Sequence, residues 1–120
     1  MISPTYKQIR SDPEGSGLYG ASRGQRLHNG VDYLCEKGQA IIAPFDLVVL
    51  RIAYPYRDMS MEGIEWQKGE SKGYLFYFKP NKELVGKVVK QGETLGYAQS
   101  ISEYYNLPLM DDHVHFQIYK

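Results

Sequence analysis

Nowhere in this 120-residue chain do apolar residues recur at the spacing of a helix; they come in short runs, each bounded by Gly, Pro or Asn. That pattern favours strands and turns. Eleven Tyr and four Phe strengthen the reading, because aromatic side chains suit a pleated, half-buried surface, and twelve Gly supply the turns between runs. Strands are expected at residues 40–43, 47–53, 74–78, 94–98 and 113–119. Pro44, Pro55, Pro80 and Pro108 fall between or beside these runs, where a missing amide hydrogen does least harm. Two longer polar segments, 56–73 and 100–112, are expected as loops, of the kind that wall a site in a compact β domain. Trp66 and Tyr104, which lie in them, are read as packing residues. Two pieces look alike, Lys37-Gly38-Gln39-Ala40-Ile41 and Gln91-Gly92-Glu93-Thr94-Leu95, each placing a Gly turn directly before a strand. They hint at an internal duplication.

The length suits one compact domain spanning 1–120, expected as a monomer. Lys and Arg together number 14, as do Asp and Glu, so no global field draws the protein to nucleic acid or an anionic membrane. Partners must be recognised locally. Cys35 is the only cysteine, which excludes an intrachain disulfide and a four-cysteine zinc cluster. No apolar run approaches the roughly 18 residues of a membrane span, and the first ten residues lack the apolar core of a secretory signal.

The three histidines fall in two short windows, His28-Asn29-Gly30-Val31-Asp32 and His113-Val114-His115. Side chains on a strand alternate faces with period two, so His28 and Asp32 are expected to point the same way, as are His113 and His115. In the last run Val114, Phe116 and Ile118 make an apolar face, and His113, His115, Gln117 and Tyr119 make the opposite one. If the two windows lie side by side, His28, Asp32 and His115 converge as three metal ligands with a fourth position open. That count separates catalytic from structural zinc, since an open position holds a water whose pKa falls toward neutrality. The same donors also suit non-haem iron, although facial triads generally read His-x-Asp or His-x-Glu, a closer spacing than here. Zinc is the expected ion. His113, two residues from His115, is expected to act as general base. Gly30 would let another backbone or a substrate approach closely.

His28 to Asp32, Lys37-Gly38, Ala43-Pro44, Val89 to Gly96 and His113-Val114-His115-Phe116 together resemble the lysostaphin-type zinc metallopeptidases, in the family's order and over roughly residues 18–119. The resemblance implies one Zn2+ on His28, Asp32 and His115, with His113 as a catalytic histidine. It also implies a two-sheet antiparallel β domain of the duplicated hybrid motif type, with long loops around a groove over one sheet. Such enzymes hydrolyse peptide bonds in bacterial peptidoglycan, in the cross-bridge or stem peptide, which sets an extracytoplasmic location as the expectation. Family enzymes carry a further histidine in a Tyr-x-His context. Here the corresponding stretch reads Tyr77-Phe78-Lys79-Pro80, leaving Lys79 either as a substitute partner for the oxyanion or as an ordinary solvated lysine.

Gly30 to Cys35, Ala43-Pro44-Phe45 and Phe76 to Pro80 look closer to the leukocyte-derived chemotaxin branch, whose members keep zinc and act by binding. That branch implies an alternative, a zinc-retaining module that recognises cell wall or a protein partner without hydrolysis. A lipoyl-type carrier, whose sheets use a similar Gly turn to the one near Gly92, would need a lysine displayed at a hairpin tip, and no Met-Lys or Asp-Lys hairpin occurs.

Overall fold

A computed structural model describes residues 1–23 and 26–120, the side chains of 22–27 excepted. The chain begins with two short ladders, β1 (Ser11–Asp12) against β2 (Gly15–Ser16) and β3 (Ser22–Arg23) against β4 (Arg26–Leu27). It continues through β5 (Val31–Leu34), β6 (Ala40–Ile42), β7 (Leu47–Ala53), β8 (Gly63–Lys68), β9 (Ser71–Phe76), β10 (Phe78–Pro80), β11 (Val88–Val89), β12 (Thr94–Ala98) and β13 (His113–Ile118). A single α turn, α1 (Ile101–Tyr105), and a 3-10 turn at Lys82–Leu84 complete the elements. The architecture is all-β and antiparallel. Six strands form one sheet in the order β11-β7-β8-β9-β13-β5, and three form a second in the order β10-β12-β6.

The core lies between these two sheets. Val49, Ile64, Trp66, Leu75, Val114 and Phe116 come from the larger, while Ile41, Phe78, Leu95 and Ala98 come from the smaller. Trp66 is 1% exposed, with the Phe116 ring parallel to it at 5.4 Å and the Phe45 ring edge-on at 5.0 Å. It is a packing residue.

The segment expected as a loop at 56–73 is instead half strand, because β8 and the start of β9 form a hairpin there. Its alternation of Ile64 and Trp66 with Glu65 and Gln67 is a half-buried strand pattern, and Gly69, at a φ of +58°, turns the corner. The run expected at 74–78 is divided. Tyr77 adopts a φ of +81°, and both its N–H (2.7 Å) and that of Phe78 (3.2 Å) donate to the Glu62 carbonyl. At that break the chain leaves the large sheet and enters the small one. The segment at 100–112 does remain mostly loop. Ser100 caps its helical turn by accepting from the Glu103 amide, and Asp112 braces it by accepting from the hydroxyls of Ser100 and Ser102, each at 2.8 Å.

The two look-alike pieces become antiparallel partners: β6 pairs with β12, Ala40 opposite Tyr97 and Ile42 opposite Thr94. Gly38 (φ +81°) donates to the Ala98 carbonyl and Gly92 (φ +87°) to the Ala43 carbonyl, each at 2.9 Å, so each turn closes onto the far end of the other strand.

Candidate metal centre

β13 lies between β9 and β5 with His115 directly opposite Asp32 on one side and Phe76 on the other. Val114 and Phe116 go to the core, so His113 and His115 face away from it, as the alternation requires. Ile118, expected on the same apolar face, is 58% exposed at the strand's end. His28 is not part of the strand that carries Asp32, which starts only at Val31. Gly30 makes its approach possible. A β carbon there would meet the Phe116 carbonyl oxygen and come within 2.6 Å of His115 Cε1, so backbone and imidazole occupy the space a side chain would need.

Three donor atoms converge. His28 Nε2 and His115 Nδ1 each lie 3.0 Å from Asp32 Oδ1, and 3.1 Å from one another. His28, Asp32 and His115 are all buried and form a group able to hold a metal ion. The tautomers strengthen this. His28 Nδ1 is 3.1 Å from the Leu18 carbonyl, which can only accept, so that nitrogen carries the hydrogen and Nε2 presents a lone pair to the centre. By the same reasoning His115 Nε2 donates to Gln117 Oε1 at 3.1 Å and turns the Nδ1 lone pair inward. With both imidazoles neutral, three acceptors thus face one another, and a hydrogen on either inward nitrogen would be donated to Asp32 instead. A triangle with edges of 3.0–3.1 Å is close to a face of the zinc tetrahedron, whose edges are about 3.3 Å for bonds of about 2.0–2.1 Å. The residues fit a divalent cation with nitrogen and oxygen preferences.

Burial by itself would raise the Asp32 carboxyl, but the imidazoles of His115 and His28, with His113 nearby, hold it well below the usual carboxylate range. His113 behaves oppositely. Its ring is 4% exposed, and burial pushes it below the ordinary histidine value despite the attraction of Asp32. Its Nδ1 donates to the Asp111 carbonyl at 2.8 Å, and Nε2 lies 3.5 Å from Asp32 Oδ2. It therefore stands neutral beside the cluster, with an unprotonated Nε2 directed toward it.

A groove of about 610 Å³ opens over these side chains. Tyr54, Tyr56, Tyr74, Phe76, Tyr77 and Tyr105 give it aromatic walls. Tyr56 stacks on Tyr104 at 4.8 Å, hydrogen-bonds the Tyr105 hydroxyl and lies 3.1 Å, oxygen to oxygen, from Tyr77. Tyr77 stands edge-on to His113 with 5.7 Å between ring centres. Tyr104, read from sequence as packing, stacks on Tyr56 and donates to Asp58 from an exposed position, and it does not line the groove. Lys79 is not brought to this group: it is exposed on β10 opposite Tyr97 and does not line the groove. Cys35 is buried, and desolvation pushes its thiol up to about 12, so it behaves as a core residue rather than a thiolate ligand.

Sequence reasoning missed Gln117 as the partner of His115, and it missed Arg10 and Asp12 entirely. Gln117 could have been found from its place two residues beyond His115 on the same strand face. Nothing local in the sequence distinguishes Arg10 from a solvated arginine.

The fold and the cluster together define a class. The sequence profile of Peptidase family M23 matches residues 26–120, and the chain belongs to that family. Within it the chain is similar to leukocyte cell-derived chemotaxin-2 of Bos taurus, 34% identical over 113 residues that cover 92% of this chain and 72% of the relative. It is likewise similar to leukocyte cell-derived chemotaxin-2 of Mus musculus, 35% identical over 118 residues, covering 96% and 76% of the two chains. Among the described residues no helix is long and apolar enough to cross a membrane.

Proposed function

We propose that the protein is a zinc-dependent endopeptidase that hydrolyses peptide bonds of bacterial peptidoglycan, with His28, Asp32 and His115 as ligands and His113 as general base. The observation that carries this reading is the buried His113, whose Nε2 faces the ligand cluster at 3.5 Å from Asp32 while Nδ1 donates to the Asp111 carbonyl. When bound, zinc supplies Lewis-acid polarisation of a carbonyl and lowers the pKa of a water molecule. The chain's own groups do the rest. His113 Nε2 accepts a proton from the attacking water and can return it to the leaving amine. Gln117 and the Leu18 carbonyl hold the two ligand imidazoles in the tautomers that donate to metal. The aromatic walls restrict water in the groove and orient an extended peptide across it.

The test is digestion of purified sacculi by zinc-loaded protein, read as new amino groups. His113→Ala is expected to lower release by about 10²–10⁴-fold, as for loss of a general base, with zinc still bound. Unchanged release in that variant rules out the base.

A second reading has its own observation: with three histidines in the chain and all three at the cluster, no further imidazole is left for the groove, and Lys79 does not line it. A zinc-retaining module that binds cell wall or a protein partner through the groove needs no such group. It predicts stoichiometric zinc and binding to sacculi, with no cleavage after prolonged incubation.

A further inference from the structure

The segment preceding the family match sends a buried ion-pair group into the site. The Arg10 and Asp12 side chains are each 3% exposed. Arg10 Nε and Nη2 donate to the two oxygens of Asp12 at 2.7 and 3.3 Å, while Nη1 donates to Asp32 Oδ2 at 3.2 Å. Asp12 Oδ2 also accepts the Asp111 amide N–H at 3.0 Å, and the carbonyl of Asp111 is the one that receives His113 Nδ1–H. One guanidinium therefore touches the ligand carboxylate directly and reaches the third imidazole through Asp12 and the Asp111 backbone. The segment's backbone is tied in as well, since Arg10 N–H donates to the Asp32 carbonyl and Asp32 N–H to the Gly17 carbonyl, both at 2.8 Å.

We propose that Arg10, braced by Asp12, is the positioning residue of the metal centre: it engages the outer oxygen of Asp32, so that Oδ1 alone faces the two imidazoles, and it fixes the backbone that sets the His113 tautomer. The proposal rests on the metal reading above. Its physical basis is the planar guanidinium, whose donors span two carboxylates in fixed directions and which stays charged when buried. A lysine keeps the charge and loses the fork. Loss of the Arg10 fork removes the contact that occupies Oδ2, so that Asp32 can offer both oxygens to a metal, which changes coordination number as well as affinity.

The experiment uses the full chain with Arg10→Lys, Arg10→Gln and Asp12→Asn, and Lys7→Ala as a control in the same segment, where the Lys7 side chain pairs with the exposed Glu36. Zinc affinity is measured by competition with a chromophoric chelator, and coordination by the electronic spectrum of the Co2+ form. Both Arg10 variants are expected to bind zinc about 10–100-fold more weakly, the usual range for loss of a group that orients a ligand. Their Co2+ spectra are expected to move toward a higher coordination number. Asp12→Asn is expected to lose less in the same direction, and Lys7→Ala nothing. If Arg10→Gln fails to fold, Arg10→Lys and Asp12→Asn carry the test. Tight zinc binding by wild type, with the same affinity and spectrum in the Arg10 variants, overturns this proposal and leaves the metal reading intact; so does a Lys7→Ala loss as large as theirs. Wild-type protein that binds no zinc overturns both.

Discussion

At the scale of single residues, the site depends on small groups that leave room or fix a hydrogen. Gly30 leaves room. Its missing side chain is the space filled by the Phe116 carbonyl and the His115 ring, so Gly30→Ala is expected to displace that ring and weaken zinc binding by at least about tenfold, measured by chelator competition. Unchanged affinity would show that the ring is not confined there. Protonation gives a second expectation, for metal-free protein. Asp12 and Asp32 have folded-state pKa values below those they resume on unfolding, and so does His113. Each therefore binds more protons when unfolded, which makes its contribution complete above its unfolded pKa and lost as pH falls toward the folded one. His113 sets the upper edge of this window near pH 6.5, and the two aspartates extend it below about 4. Thermal melts are expected to show a midpoint that is highest near pH 7 and falls continuously on acidification to pH 3.5. A midpoint that stays flat or rises over that interval contradicts the assignment.

At the scale of elements, strand alternation does most of the work. β13 sends Val114 and Phe116 to one face and His113 and His115 to the other, and its register sets His115 opposite Asp32. Trp66 ties β8 to both β13 and the β6–β7 connection through its contacts with Phe116 and Phe45. Trp66→Ala is expected to cost about 3–5 kcal/mol in urea denaturation, whereas a loss under about 1 kcal/mol would remove it from the core account. These elements also show what was legible beforehand. Four of the five strand regions, and the fifth up to its break at Tyr77, follow from short apolar runs bounded by turn residues, and the clustering of His28, Asp32, His113 and His115 follows from strand alternation and from the confinement of all histidines to two windows. The β8–β9 hairpin was hidden because its buried residues, Ile64 and Trp66, alternate with Glu65 and Gln67 inside a charged stretch. The break at Tyr77 was hidden for a different reason: a positive φ on a bulky residue is imposed by its tertiary hydrogen bonds, not by local propensity. The burial of Arg10 likewise depends on carboxylates 2 and 22 positions away.

At the scale of the whole molecule, the large sheet, the N-terminal segment and the 100–112 loop meet at one place. The large sheet carries Asp32, His113 and His115, and the chain between β4 and β5 carries His28. The N-terminal segment brings Arg10 and Asp12, and the loop supplies Asp111. A group assembled from both ends of the chain is expected to gain stability from a ligand that binds only the folded form. Zinc at a hundredfold excess over its dissociation constant should therefore add about 2.7 kcal/mol, seen as a raised melting temperature that depends on free zinc. The most direct measurement is zinc K-edge X-ray absorption on protein dialysed to constant metal content. The expected result is one ion per chain with four light-atom neighbours at about 2.0–2.1 Å, two of them imidazoles, and loss of that signal in His115→Ala. A substoichiometric metal content, or a spectrum unchanged by His115→Ala, would contradict the account.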